Sequence, residues 1–485
     1  MRQSKLVKSV NALNAWELRH LGDFVHSPFF NKHPRVTRLF ELLIAGAAPR
    51  GAGELNRERI FAELFPGEPF DEQRFKDLLS LCMKTLRSFW THFRLRQDEV
   101  ATGMALVEEM RDRDQENEFE KACRQVEKVL QKSNEKMHII RMKELALQES
   151  KINYLSTRHS RKVEDSLQVL SDQLDTYYLM AKLKYGVEMA NRQNVLGQQF
   201  ALGLLEPVLD HLKAHPGLLE RNSDLRLYFL IYTFVREEDP AAFARFLAEV
   251  PVEGQRFSQI ERRELYTYAM NFCIQQFNKG KRHYLQTLLQ LYQLALGDDT
   301  LLEEGWLSHW NYKNIVSAGL KAGDFTWTAE FIEGYKPRVR PDERENAYTY
   351  NLASLHFAQH NYSEALRLLQ HVEFQDVFYH LGAKVMLLKS FYELREDEAL
   401  ANLCDSFRLY LKRNKTLSQY HYTVNYNLVT FTRRLAELRR RLELIPASEG
   451  QKKLVRLRDK IHESEQVAQL SWLLNKLAEL EGVAA

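Results

Sequence analysis

The chain has 485 residues, of which 45% are hydrophobic, 27% charged and only 12 are proline; this excludes a disordered polymer and a single compact core, leaving two to four domains or one extended repeat array. Its 68 basic and 65 acidic residues leave a formal charge of +3, which excludes a molecule-wide field drawing it to nucleic acid or anionic lipid. Cys82, Cys123, Cys273 and Cys404 lie far apart with no C-x-x-C pair, against both a disulfide framework and a zinc site and in favour of a reducing compartment.

The N-terminus, "MRQSKLVKSVNALNAWELRH", interrupts every apolar stretch with polar residues, so no secretory signal is expected there. No segment approaches the ~20 apolar residues that cross a bilayer. The expected location is cytoplasmic, without membrane insertion.

Residues 1–96 read as an N-terminal domain of four or five short helices. Asn14 with Glu17 three residues later forms a capping box opening a helix through Trp16, Leu18, Leu21, Phe24 and Val25. Ser27-Pro28 stops it, and Pro34 opens the next helix. Phe29 and Phe30 in the intervening "SPFFNKHP" are expected to plug the helix connection, the alternative being an exposed knob for a partner. A loop, "AGAAPRGAG", and a turn, "FPGEPFDEQ", divide the helices that follow.

No proline occurs between Pro69 and Pro207, which permits long helices. Phe119, Ala122, Cys123, Val126, Val129 and Leu130 fall on one helical face, with charged residues opposite. Residues 97–169 therefore read as a charged connector of two or three amphipathic helices.

From about residue 170 to 485 the pattern becomes helix, short polar turn, helix. "NYSEALRLL" beginning at Asn361 carries Ala365, and 34 residues later, at 399, "REDEALANLC" carries an alanine with matching neighbours. First helices containing Leu352, Ala353 and Phe357, then Met386, Leu387 and Phe391, precede them. This period and the paired small residues resemble the tetratricopeptide repeat. Weaker echoes follow at "GDFTWTAEFI", near Asp239 and near Lys281. "HYTVNYNLVTF" fits strand alternation as well as a helix, and its neighbours favour the helix.

The resemblance implies an all-α fold in which helical hairpins stack into an α-α superhelix, a tetratricopeptide-like solenoid with a concave groove. It also implies a non-catalytic scaffold or adaptor that holds a peptide or helical segment of an unidentified protein. By the repeat pattern, Tyr350, Ser354, Lys384, Leu388, Phe391 and Tyr392 would face that groove. The carboxylate clamp of some such domains is only partly present: Lys313 and Asn351 fit, whereas Ser317, Leu381 and Val385 occupy the other three positions.

Among competing functions, nucleic-acid association would use the most basic stretch, 431–460, with ten basic and four acidic residues including Arg439, Arg440, Arg441, Lys452 and Lys453. It lacks stacking aromatics, and its interleaved leucines suit an ordinary amphipathic helix. A second competitor is an enzyme with a site between domains. No phosphate loop, dinucleotide fingerprint, nucleophile elbow or H-E-x-x-H motif occurs, so neither catalysis nor a cofactor is expected. His356 and His360 have ligand spacing but no third ligand, so no metal is expected.

Overall fold

The computed structural model describes residues 4–47, 56–157, 163–196, 199–370, 376–415, 417–442, 444–464 and 466–484. The protein is all-α: among these residues are 24 α-helices, two short 3-10 turns and one two-stranded hairpin. The chain divides into two units, Met1–Leu179 and Met180–Ala485.

The first unit opens with α1 (Lys5–Asn11), α2 (Ala15–His26), α3 (Pro34–Ala47), α4 (Arg57–Leu64) and α5 (Glu72–Gln97). The capping box at α2 is present: Asn14 Oδ1 accepts from the Glu17 amide at 2.9 Å, while Glu17 accepts from the Asn14 amide at 2.8 Å. Leu21, Phe24 and Val25 face a core shared with Val36, Leu39, Phe40, Phe75 and Leu86. The expected plug at Phe29 is not what closes the α2–α3 turn. Phe29 is 85% exposed, because Asn31 closes it instead, donating from Nδ2 to the Val25 carbonyl at 2.8 Å and to Thr37 Oγ1 at 2.9 Å. Phe30 stacks on Phe24. Most of the "AGAAPRGAG" loop lies outside the described residues.

α6 (Glu99–Asp112), α7 (Glu116–Gln131), α8 (Met137–Thr157) and α9 (Val163–Leu196) follow. On α7 the predicted face is the buried one: Phe119, Ala122, Cys123, Val126 and Leu130 form a core with Val100, Val107 and Leu147. All four cysteines are free and buried. Burial pushes the Cys82 and Cys273 thiols up to about 12, which suppresses the reactive thiolate.

The second unit continues with α10 (Leu205–Ala214), α11 (Pro216–Arg221), α12 (Ser223–Glu237), α13 (Pro240–Glu253), α14 (Gln259–Asn278) and α15 (Tyr284–Gly297). A hairpin of Leu302–Glu303 and Trp306–Leu307 precedes α16 (His309–Ala322) and α17 (Phe325–Tyr335). Its central residues, Glu304 and Gly305, both have positive φ, 53° and 84°, the two-residue turn whose twist matches paired strands. Then come α18 (Arg344–Ala358), α19 (Tyr362–Leu369), α20 (Val377–Glu393), α21 (Asp397–Arg413), α22 (Gln419–Leu442), α23 (Ala447–Glu463) and α24 (Leu470–Ala484). The ambiguous stretch at His421 is helical within α22, burying Val424, Leu428 and Val429.

Two regularities organise this unit. Consecutive helices pack as hairpins, and α12 also packs on α14, α16 on α18, α18 on α20, α20 on α22 and α22 on α24. The hairpin turns also share one backbone geometry. Gly280, Gly323, His360 and Arg395 have φ of 89°, 79°, 62° and 58°. In each case the next amide donates to the carbonyl five residues back: Lys281 to Gln276, Asp324 to Gly319, Asn361 to His356 and Glu396 to Phe391, at 2.8 to 3.1 Å. This left-handed cap satisfies a carbonyl the ending helix leaves orphaned. In the first unit the α6–α7 turn repeats it, with Asp114 at φ 55° and Gln115 donating to Met110.

Candidate partner-binding surface

Three helices of the second unit begin alike. Ser308 Oγ accepts from the Asn311 amide at 3.2 Å, Asp376 Oδ1 from the Phe378 and Tyr379 amides at 2.9 Å, and Ser418 Oγ from the His421 amide at 3.3 Å. Such side chains satisfy donors left open at a helix start. Two residues after each cap stands an aromatic: Trp310, Phe378 and Tyr420, exposed by 37%, 44% and 57%. Trp310 meets Phe378 edge to face at 6.2 Å, Phe378 meets His421 at 5.2 Å, and His421 meets Tyr420 at 5.4 Å. The starts of α16, α20 and α22 thus present one continuous aromatic ridge.

Beneath it lies a cation. Lys313 Nζ is 4.5 Å from the ring centre of Tyr379, 5.4 Å from Tyr350 and 5.5 Å from Trp310. Aromatic faces attract a cation through their negative quadrupole. Desolvation lowers the Lys313 pKa from its ordinary value, and the field of Asp376 acts against that shift. Among the described residues no carboxylate forms an ion pair with it. Tyr379 is fixed by donating to the His309 carbonyl at 2.7 Å. Exposed rings beside an unneutralised ammonium can hold apolar or aromatic side chains together with a carboxylate.

The residues expected from the repeat pattern lie one layer deeper. Tyr350, Leu388 and Tyr392 retain 6%, 0% and 3% exposure, and pack within the stack. Tyr350 contacts Tyr379 at 4.7 Å and lies so close to α20 that any side chain at Gly382 would collide with its hydroxyl. Tyr392 packs against Trp472, with the Arg439 guanidinium 4.4 Å from its ring centre. Ser354 bonds the Tyr350 carbonyl, Lys384 lies over Phe407 and Tyr410, and Phe391 is half-buried against the C-terminal core. Of the partial clamp, Asn351 is buried and donates to the Ala347 carbonyl.

The basic residues separate. Arg439 donates to the Tyr392 carbonyl and pairs with Asp397 at 2.9 Å, and Arg440 approaches the same carboxylate. Arg441 and Lys453 line a cleft between α22 and α23, whereas Lys452 is exposed. His356 and His360 do not share a helical face, since His360 occupies the left-handed turn and its Nδ1 lies 2.7 Å from the Tyr362 hydroxyl.

Sequence reasoning missed Trp310, Phe378 and Tyr420. The available signal was local: "SHW", "DVF" and "SQY" each place an aromatic two residues after a capping side chain. Compared with known protein families, curated proteins and solved structures, the chain matches none.

Proposed function

We propose that the second unit is an α-α solenoid of the tetratricopeptide type that binds a segment of another protein along the ridge of Trp310, Phe378 and Tyr420. The stacking of alternate helices and the recurring left-handed turn support the solenoid, since neighbours in such arrays cover apolar faces that no hairpin can bury alone. The observation that carries the binding role is the ridge itself. Three large aromatics at equivalent helix positions keep 37%, 44% and 57% of their surface exposed, and contiguous exposed apolar surface marks interaction sites. Rigid aromatic side chains are also the commonest anchors of protein interfaces.

The test is affinity capture from the native cell with the full chain, run beside a variant carrying Trp310→Ser, Phe378→Ser and Tyr420→Ser. These side chains lie outside the core, so the variant keeps its helical circular dichroism and thermal transition and loses its partner. Equal recovery of one partner by both baits would overturn the ridge as the binding surface.

A further inference from the structure

α22 and α23 form an open cleft of about 380 Å³ between them. Arg434 and Arg441 line it from α22, and Lys453, Arg456 and Lys460 line it from α23. Each rail places cations seven residues apart, about 10 Å along a helix. Among the described residues Glu437 is the one acid in the lining, and Arg433 already engages it at 3.3 Å.

The same two helices carry an internal comparison. Arginines outside the lining are neutralised: Arg433 by Asp405 and Glu437, Arg439 and Arg440 by Asp397, and Arg458 by Glu481. Within the cleft, only Lys453 has an ion-pair partner, Glu449 at 2.7 Å. Arg434, Arg441, Arg456 and Lys460 have none among the described residues. Four unneutralised cations around one concavity repel one another, and a polyanion entering it would relieve that repulsion.

We propose that this cleft binds a multiply phosphorylated ligand. Three of the five cations are arginines, whose planar fork matches phosphate oxygens in pairs. The cleft has the volume of a small-ligand site rather than of an extended track. Among the described residues no aromatic side chain lines it, so they offer no platform for nucleic-acid bases. The phosphates could be borne by a soluble polyphosphorylated molecule or by a phosphoinositide headgroup, which present the same chemistry to these five side chains. This site stands apart from the aromatic ridge and does not depend on its role.

The experiment is calorimetric titration of the full chain with inorganic tripolyphosphate at low salt. Binding is expected to weaken about tenfold or more in the Arg441→Glu, Arg456→Glu double variant, and to weaken steeply with added salt. Arg440→Glu, outside the cleft, should change it by less than about threefold, since a single charge beyond the cleft acts through screened water. Thermal transitions of all three proteins verify folding. Phosphoinositide vesicles that sediment the protein and release it to tripolyphosphate identify a lipid headgroup. Tripolyphosphate binding without sedimentation identifies a soluble ligand. Absence of tripolyphosphate binding, equal weakening by Arg440→Glu, or tight binding of a DNA duplex that tripolyphosphate cannot displace would each overturn the proposal.

Discussion

The hairpins α18–α19 and α20–α21 have the same left-handed turn and, counted from that turn, bury the same face of their second helices, whereas the 34-residue sequence match aligns different ones. In α19, Ala365 has no exposed surface and Leu368 and Leu369 accompany it inward. In α21, Ala399 is half-buried, and the core is filled by Leu400, Cys404, Phe407 and Leu411. The sequence match pairs 365 with 399, whereas the buried faces pair 365 with 400 and 369 with 404. That one-residue offset is about 100° around a helix. The turns at His360 and Arg395 are themselves 35 residues apart, so the buried face keeps step with the turn, and the sequence match at 34 falls one residue short of it. α19 has 8 residues, while α21 has 17 and packs along α22.

The largest test of this offset uses large-to-small substitutions on both helices. Phe407→Ala removes a fully buried ring and should cost about 3–5 kcal/mol, and Leu369→Ala about 2–5 kcal/mol. Leu403→Ala, at the residue that sequence pairs with Leu369, lies on a half-buried face and should cost about 1 kcal/mol or less, since little apolar area is uncovered. Denaturant midpoints of the second unit's transition provide the measurement. Equal costs for Leu369 and Leu403 would restore the 34-residue register and remove the offset.

Small residues at the helix crossings give the next largest effects. In α16–α17, Thr328 occupies the place of Ala365, and Gly319 stands opposite it where α18 has His356. A Cβ at Gly319 would collide with Thr328 Oγ1. Gly319→Ala should therefore cost about 1–3 kcal/mol through overpacking, with much of the loss recovered in the double variant with Thr328→Ala. Undiminished loss in the double variant would mean that the two positions do not share one space. Ala365→Leu should likewise cost about 1–3 kcal/mol. Ala399→Leu, at a half-buried position, should stay within about 0.5 kcal/mol, as expected of surface changes.

These offsets explain what could be seen in the sequence. The α7 face, the α2 capping box and the helical class were legible, because each rests on interactions within three or four residues. The turn residues 238, 280, 323, 360 and 395 lie 42, 43, 37 and 35 residues apart, so a fixed period of 34 matches none of these intervals and comes within one residue of the last alone. Nor does composition mark them, because Glu238, His360 and Arg395 adopt the conformation usually given to glycine. The surface was hidden for another reason. Tyr350 and Tyr392 have the residue type and the position of groove contacts, yet close helix approaches, such as that of Tyr350 to Gly382, draw them into the stack. Burial of that kind depends on the next hairpin and has no local signature. The hairpin at Glu304-Gly305 is shorter than any periodicity can register.

The smallest effects come from those turns, and they carry opposite signs. A side chain in the left-handed region crowds its own carbonyl, a strain of about 1–2 kcal/mol that glycine avoids, while glycine adds about 0.5–1 kcal/mol of unfolded-state entropy. Arg395→Gly should consequently stabilise the second unit by about 0.5–1 kcal/mol, the difference between those terms. His360→Gly relieves the same strain but loses the contact of Nδ1 with the Tyr362 hydroxyl at 2.7 Å, which as an exposed hydrogen bond offsets about 0.5 kcal/mol of the gain. Gly323→Ala reverses the direction and should cost about 1 kcal/mol. Thermal melts therefore should rank Arg395→Gly above His360→Gly, wild type below both, and Gly323→Ala lowest. If Arg395→Gly melts below wild type, the turn at 395 is held by its side chain rather than strained by it, and the shared turn geometry loses its energetic equivalence.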